Sequence, residues 1–306
     1  MAQTIGIDVG GTKTAAFRVA AGGEILARRR RLTPYGSPEE LIAMLAELVE
    51  ELRTEEVVAV GVGLPGLVDS RTGALAFAPR PLLRDFPVRD LLTAAVRLPV
   101  VTENDADAAA WAEHRLGAGR GHDDMLLLAI GTGLGCGVIT QGRSLKGARG
   151  FAVEVWHLLV EPGNPACFGD LASGTALTAL GRQAAARYPS SLLASLAGGD
   201  PQRVTGELVT QAARDGDEAA IAVLRRAGDV LGMGIASLVT LFDPSTVVVG
   251  GGPSAAGQLL LRPARESYRR SLPVGPDRPG LQIVAARLGN EAAAIGAALL
   301  AAERPH

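Results

Sequence analysis

The stretch Ile5–Val19, "IGIDVGGTKTAAFRV", decides the fold. An apolar run that ends at Val9 is followed by a glycine pair and then by a second run with further apolar residues. Two such runs joined by a short glycine-containing turn predict a β-hairpin. Glycines at the turn let backbone N–H groups approach a phosphate oxygen, and a concave row of N–H groups binds anions. The stretch therefore predicts either a phosphate-binding hairpin or an ordinary hairpin in which Asp8 caps its own turn.

A Walker A loop does not fit this stretch. That loop needs a glycine, four further residues and then Gly-Lys-Ser/Thr at the start of a helix. Counted from Gly6, the second glycine falls correctly on Gly11, but Thr12 occupies the lysine position. The residues that follow also read as a strand, so the Walker A interpretation fails twice.

The same layout returns at Met125–Thr140, "MLLLAIGTGLGCGVIT". Its glycines are spaced by two, which excludes the dinucleotide fingerprint G-x-G-x-x-G, and a strand follows again. The repeat predicts a duplication, with two related α/β halves in one chain. Two hairpins in matching places favour phosphate binding, because they could hold a polyphosphate chain from both sides. Asp8 would then orient water around Mg²⁺, while Thr12 and Lys13 would add a hydroxyl and a positive charge.

Outside the hairpins, strands alternate with helices, which predicts a mostly parallel sheet after an antiparallel start. Arg28–Arg31 could form a nucleic-acid patch, but the run is better explained as the solvated part of an edge strand. A helix is expected after Ser37, because Ser37, Pro38 and Glu40 form a capping pattern. Further helices are expected at residues 88–97, 106–117, 174–188, 200–216, 217–242, from about 254, and 290–303.

Composition limits the class of protein. The chain has 306 residues, which favours two domains. Apolar residues make up 47% and aromatic residues only 4%, so the cores must be built from Ala, Val, Leu and Ile. The net charge of −2 gives no indication of nucleic-acid or anionic-membrane binding. Cys136 and Cys167 are too few for a disulfide framework, and no signal segment or apolar run of ~20 residues is present. We expect a soluble cytoplasmic protein.

Five segments resemble, in order, those of the ROK family of repressors and sugar kinases, within the sugar kinase, actin and Hsp70 superfamily. They are "GIDVGGTKTAAF" (6–17), "GVGLPGLVD" (61–69), "VTENDADAAAWAE" (101–113), "GTGLGCGVITQGRSLKGARGFAVEVWH" (131–157) and "VVVGGGPS" (247–254). Each motif is weak alone, but five in the family's order over nearly the whole chain are highly specific.

The resemblance implies a fold and an activity. The fold would be two ribonuclease H-like, actin-like ATPase α/β domains around an interdomain cleft. The smaller domain would comprise residues 1–107 plus 288–306, and the larger one residues 108–287. The activity would be ATP-dependent phosphorylation of a hexose, most simply glucose, at its 6-hydroxyl, with Mg²⁺ and in a homodimer. The repressor branch carries a DNA-binding domain before the first phosphate segment, so a transcription factor is not expected here.

The resemblance also implies roles for individual residues. Asp105 would be the catalytic base that accepts the proton of the attacking sugar hydroxyl. Taken alone, Asp105 could instead be a helix N-cap, and His157 a buried structural histidine. The sugar would contact Gly66, Asn104, Asp105, Glu154 and His157. The nucleotide would lie against Asp8, Gly10, Gly11, Thr12, Lys13, Gly131, Thr132, Gly133, Gly250 and Gly251, with Asp8 towards the magnesium ion.

One segment departs from the family. Many ROK proteins follow Glu-x-x-His with a C-x-C-G-x-x-G-C-x-E stretch that holds a structural zinc and supplies a sugar-binding Glu. Here only Cys167 matches a cysteine, and His157 with one thiol cannot make a four-ligand zinc site. We therefore predict no zinc. The expected Glu falls on Gly169, and Asp170 is a weak candidate to replace it.

Three functions therefore remain open. The first is a hexose 6-kinase that uses ATP. The second keeps the fold but takes fructose, mannose or an N-acetylated amino sugar, or uses polyphosphate as the donor. The third is a sugar-binding regulator without turnover, which the degraded zinc segment favours.

Overall fold

The opening hairpin forms as predicted. In the computed structural model, which describes residues 2–34, 36–79, 82–159, 163, 165–272 and 280–303, strand β1 (Gln3–Val9) pairs antiparallel with β2 (Lys13–Ala20). Strand β3 (Ile25–Leu32) pairs antiparallel with β2 and forms the edge of the sheet. Arg29 and Arg31 of β3 form ion pairs with Glu51. The arginine run therefore lies on a charged edge strand, as predicted.

Strands and helices alternate only in part through the remaining chain, because β4 to β7 follow one another and so do α4 to α8. The strands are β4 (Val57–Leu64), β5 (Leu67–Val68), β6 (Leu75–Pro79), β7 (Leu82–Phe86), β8 (Val100–Asn104), β9 (Met125–Ile130), β10 (Leu134–Thr140), β11 (Arg143–Ser144), β12 (Thr246–Gly250) and β13 (Gln282–Ala285). The α-helices are α1 (Pro38–Leu52), α2 (Val88–Val96), α3 (Asp105–Leu116), α4 (Phe168–Ala172), α5 (Gly174–Arg187), α6 (Leu192–Leu196), α7 (Gly206–Arg214), α8 (Glu218–Phe242), α9 (Gln258–Ser271) and α10 (Ala292–Glu303). Short 3-10 turns cover Val155–His157, Pro201–Arg203, Gly252–Ala256 and Gly289–Glu291.

The two glycine hairpins belong to two five-stranded sheets of matching order. The first sheet runs β3-β2-β1-β4-β8 and the second β11-β10-β9-β12-β13. In the first, β4 is parallel to both β1 and β8; in the second, β12 is parallel to both β9 and β13. The predicted internal duplication is therefore present in the strand order. Strands β5, β6 and β7 form a separate small antiparallel sheet.

The described residues group into two compact units. Unit 1 comprises residues 1–121, 137–153 and 290–306, and unit 2 comprises residues 122–136 and 154–289. The sequence-based division at 107/108 and 287/288 stays a prediction. Within the described ranges, none of the helices has the length and apolar character that a bilayer crossing requires.

The core of unit 1 is built from small and branched residues. Ile5, Ile7, Val60 and Val62 are fully buried in β1 and β4, as the low aromatic content predicts. The backbone of helix α10 lies directly against the backbone of these strands. A methyl group added at Gly61 would overlap with the carbonyl group of Ala297 in α10.

Two predicted helices begin later than expected. Asp200 caps only the 3-10 turn Pro201–Arg203, and Thr205 starts α7 by accepting a hydrogen bond from the Leu208 amide. Two capping residues in succession divide what the sequence suggests is one helix. The helix expected near Ser254 is likewise a 3-10 turn followed by α9, because Gly257 adopts a φ of +58° between them.

We predict that Gly61→Ala destabilises the protein by about 1–3 kcal/mol, because a methyl group there must displace backbone rather than a flexible side chain. Thermal unfolding followed by calorimetry measures the change. Gly22→Ala is the matched control, since no atom lies within 4 Å of its added methyl group. Equal unfolding temperatures for the two variants would contradict the packing described here.

Candidate functional site

In unit 1, residues with potentially functional side chains lie at the carboxyl ends of three parallel strands, β1, β4 and β8. The strand register places Asp8 of β1 opposite Gly63 of β4, and Leu64 of β4 opposite Asn104 of β8. Asp105 is the first residue of α3, directly after β8. A methyl group added at Gly63 would lie 3.6 Å from the Asp105 Cα atom. Ligands of open α/β sheets bind at such strand ends.

Asp8 and Asp105 influence each other electrostatically. Burial, and then the neighbouring Asp105 carboxylate, raise the pKa of Asp8 to about 7. Two carboxylates in this position concentrate negative charge that a bound cation would offset. Among the described residues, no group of three or more His, Cys, Asp and Glu side chains could hold a metal ion. Mg²⁺ needs only one or two carboxylates because it keeps several waters, so Asp8 fits the predicted role.

Asn104 holds the junction between β8 and α3. Its side-chain Oδ1 accepts hydrogen bonds from the amides of Ala106 (2.9 Å) and Asp107 (3.1 Å), so Asn104 and not Asp105 is the N-cap of α3. Its Nδ2 donates to the Gly66 carbonyl at 3.0 Å. Gly66 has a φ of +96°, and a methyl group there would overlap with the Phe77 carbonyl. The structure thus brings the predicted sugar residues Gly66, Asn104 and Asp105 together.

The first glycine turn is exposed and closely bonded to the strands beside it. The Gly10 amide donates to the Lys13 carbonyl at 3.1 Å, and Gly11, Thr12 and Lys13 are exposed. The Thr33 hydroxyl donates to the Gly10 carbonyl at 2.6 Å, and the Thr33 amide donates to the Thr12 carbonyl at 3.0 Å. Thr33 is a supporting residue that the sequence analysis missed.

In unit 2, the second glycine turn rests on the start of α5. The Gly131 amide donates to the Gly133 carbonyl at 2.9 Å, and the Gly174 amide donates to the Gly131 carbonyl at 2.8 Å. The Thr175 hydroxyl donates to the Thr132 carbonyl at 2.7 Å. Residues 174 and 175 begin α5, so the predicted phosphate turn lies at a helix N-terminus, where anions are favoured.

The predicted adenosine residues lie next to this turn. Gly250 ends β12 opposite Ala129 of β9, and Gly251 follows with a φ of +85°. A methyl group added at Gly251 would overlap with the Ile130 carbonyl, which immediately precedes the second glycine turn. Glycine at 251 therefore allows the two strand ends of unit 2 to approach at the backbone.

Glu154 directly precedes the 3-10 turn Val155–His157, and His157 is the last residue of that turn. Both residues are exposed. The His157 amide donates to the Glu154 carbonyl at 3.3 Å. Partial desolvation raises the pKa of the Glu154 carboxyl above its ordinary value, and the charge of His157 opposes this shift. His157 is thus not the buried histidine that its sequence context alone allowed.

Trp156 of the same turn fills the space beside Gly169. A methyl group at Gly169 would overlap with the indole, and one at Gly133 would lie 3.2 Å from its Cζ3 atom. The Asp170 carboxylate accepts a hydrogen bond from the Cys167 amide at 3.0 Å in the first turn of α4. This bond uses Asp170 as a helix cap. Its replacement of the missing Glu, and the expected lack of zinc, remain predictions.

Residues 4–304 match the ROK family. The chain is 41% identical to the glucokinase of Streptomyces coelicolor over 313 aligned residues, covering 99% of this chain and 98% of that one. It is 36% identical to the glucokinase of Thermotoga maritima, with the same coverage.

A solved glucokinase structure is similar to this chain over nearly its whole length. The ROK family glucokinase from Streptomyces griseus, in complex with glucose and AMPPNP, matches with a TM-score of 0.90 and 40% identity, covering 99% of this chain and 100% of that one. This similarity confirms the predicted fold class of two ribonuclease H-like α/β domains. With the family match over nearly its whole length, the chain belongs to the ROK family.

Proposed function

We propose that this protein is an ATP-dependent glucokinase, which transfers the γ-phosphoryl group of ATP to the 6-hydroxyl of glucose. The observation that carries the proposal is the full-length similarity to a ROK glucokinase whose structure contains glucose and an ATP analogue. The arrangement of Asn104, Asp105 and Gly66 in unit 1 supports it independently of the similarity.

Asp105 is the base in this proposal. The Asp105 carboxylate accepts the proton of the 6-hydroxyl as that oxygen attacks the γ-phosphorus, and the bond from phosphorus to the ADP oxygen breaks. Phosphoryl transfer depends mainly on positioning and charge stabilisation, so the base must be held in a fixed place. Asn104 does this by capping α3 and binding the Gly66 carbonyl, and it offers an amide to a neighbouring sugar hydroxyl.

The two exposed glycine turns are the proposed phosphate contacts. Gly10, Gly11, Thr12 and Lys13 come from unit 1; Gly131, Thr132 and Gly133 come from unit 2, where the α5 N-terminus adds its partial positive charge. Gly250 and Gly251 would contact the adenosine. Glu154 and His157 would hold further sugar hydroxyls. Bound through Asp8, Mg²⁺ would neutralise charge on the phosphates. We also propose a cytoplasmic homodimer.

A panel of acceptors and donors tests the function. ADP release is measured with glucose, fructose, mannose, N-acetylmannosamine and N-acetylglucosamine, with ATP as the donor, and glucose 6-phosphate is measured with polyphosphate. We expect the highest kcat/KM for glucose with ATP. A higher kcat/KM for another sugar would make that sugar the substrate. A higher kcat/KM with polyphosphate would make polyphosphate the donor. Glucose binding without product would favour the regulator.

We predict that Asp105→Asn lowers kcat for glucose by about 10²–10⁴, because the amide cannot take the hydroxyl proton. Calorimetry should still detect glucose binding, since Asn104 and Gly66 are unchanged. Asp90→Asn is the control, as the Asp90 side chain is 70% exposed on α2. A wild-type kcat for Asp105→Asn would show that Asp105 is not the base.

We predict that Gly169→Ala weakens glucose binding about tenfold, or about 1.4 kcal/mol. The added methyl group displaces the Trp156 indole, which shares its turn with Glu154 and His157. Glucose titration by calorimetry gives the Kd. Gly206→Ala is the control at another helix start, where the added methyl group meets atoms only at an ordinary 3.7 Å. An unchanged Kd for Gly169→Ala would show that the indole does not support the sugar turn.

A further inference from the structure

Lys146 is a partly buried cation that the proposed mechanism does not use. It and Lys13 are the only lysines in a chain with 30 lysines and arginines combined. Its Nζ donates to Glu103 Oε2 and to Asp107 Oδ2, both at 2.9 Å. The Glu103 and Asp107 side chains are only 4% and 5% exposed, and the Lys146 side chain is 19% exposed. One ammonium group thus neutralises charge on two buried carboxylates.

These carboxylates lie on both sides of Asn104 and Asp105 in the chain. Glu103 belongs to β8, and its second oxygen, Oε1, accepts a hydrogen bond from the Asn104 amide at 3.0 Å. Asp107 lies in the first turn of α3, and its amide donates to Asn104 Oδ1. Lys146 itself follows β11, on a different segment of unit 1. The ammonium therefore connects the end of β8, the start of α3 and the segment after β11.

The chemistry at this junction suits a compact cation. A buried carboxylate is costly unless it is paired and hydrogen-bonded, and two neighbouring ones also repel each other. An ammonium can direct separate N–H groups to two carboxylates from one point, whereas a guanidinium is a planar fork that suits one carboxylate at a time. Without the ammonium, Glu103 and Asp107 would separate or take up water, and the junction between them would move.

We propose that Lys146 is a positioning residue for phosphoryl transfer, which fixes the junction that carries Asn104 and Asp105. This inference rests on the proposed function. Lys146 acts through Glu103 and Asp107 and does not itself touch the reacting atoms. A small displacement of a reacting group can lower the rate about 10²-fold. The effect should fall mainly on kcat, because Asn104 keeps its bonds to Gly66 and to the α3 amides.

Lys146→Met tests the proposal against a matched control. Arg149 lies three residues further along the same segment and also pairs with a buried carboxylate, that of Asp69, at 3.2 Å. Asp69 keeps its second partner, Arg71, when Arg149 is replaced. We expect Lys146→Met to lower kcat about 10²-fold with a glucose Kd within a few-fold of wild type. Arg149→Met should leave kcat within about twofold, since its exposed side chain contributes little.

A second variant covers the case in which Lys146→Met does not fold. The triple variant Glu103→Gln, Asp107→Asn, Lys146→Met leaves no unpaired charge in the cluster, so it should keep a cooperative unfolding transition. A folded triple variant with low kcat and near-normal glucose Kd supports the inference. A triple variant with wild-type kcat, or equal losses in Lys146→Met and Arg149→Met, would overturn it. Failure of the proposed function is distinguishable, because the wild-type protein would then not phosphorylate glucose.

Discussion

Unit 1 depends on backbone-to-backbone packing of α10 against β1, β4 and α3. Methyl groups at Gly6 and Gly61 would overlap with carbonyl groups of α10, and one at Gly296 would overlap with the Ala108 carbonyl of α3. Since no side chain separates these elements, the helix and the sheet have little freedom to slide past each other. The same packing explains the composition. Elements this close leave room mainly for small residues, and Ala294 and Ala298 of α10 pack against the fully buried Phe17 of β2.

Two sets of carboxylates lie at the ends of β1 and β8 in this sheet, and they have different surroundings. The pKa of Asp8 at the end of β1 is raised to about 7 by burial and by the Asp105 carboxylate. Glu103 and Asp107, in contrast, both form ion pairs with Lys146 at 2.9 Å. In the proposed reaction, a bound Mg²⁺ would offset the charge of Asp8 and Asp105. The ion pairs of Lys146 would hold the proposed base, Asp105, in place when that ion binds.

The sequence predicted the features that depend on local chemistry. Both hairpins and their matching sheets follow from glycine turns between apolar strands, and Ser37 caps α1 as expected. It could not predict the support of the second turn by Gly174 and Thr175, because that contact joins residues more than forty positions apart. The ion pairs of Lys146 could not be predicted for the same reason, because they also join residues that are far apart in the chain. The helix predicted from Asp200 was wrong at its start, because a capping residue can begin a 3-10 turn as well as an α-helix. Thr205 is the residue that caps α7.

The turn that carries Glu154 and His157 packs against its neighbours through an aromatic ring. Cys167 is the only cysteine after this turn, so a set of thiolates is not available to hold it. Instead, the Trp156 indole lies against Gly169 at the start of α4 and reaches Gly133 of the second glycine turn. Glycine at 169 is required for this contact because a methyl group there would overlap with the ring, whereas one at Gly133 would make a tight contact at 3.2 Å. An aromatic ring held in this way restrains the turn proposed to bind sugar, and it brings that turn close to Gly133, which is proposed to bind phosphate.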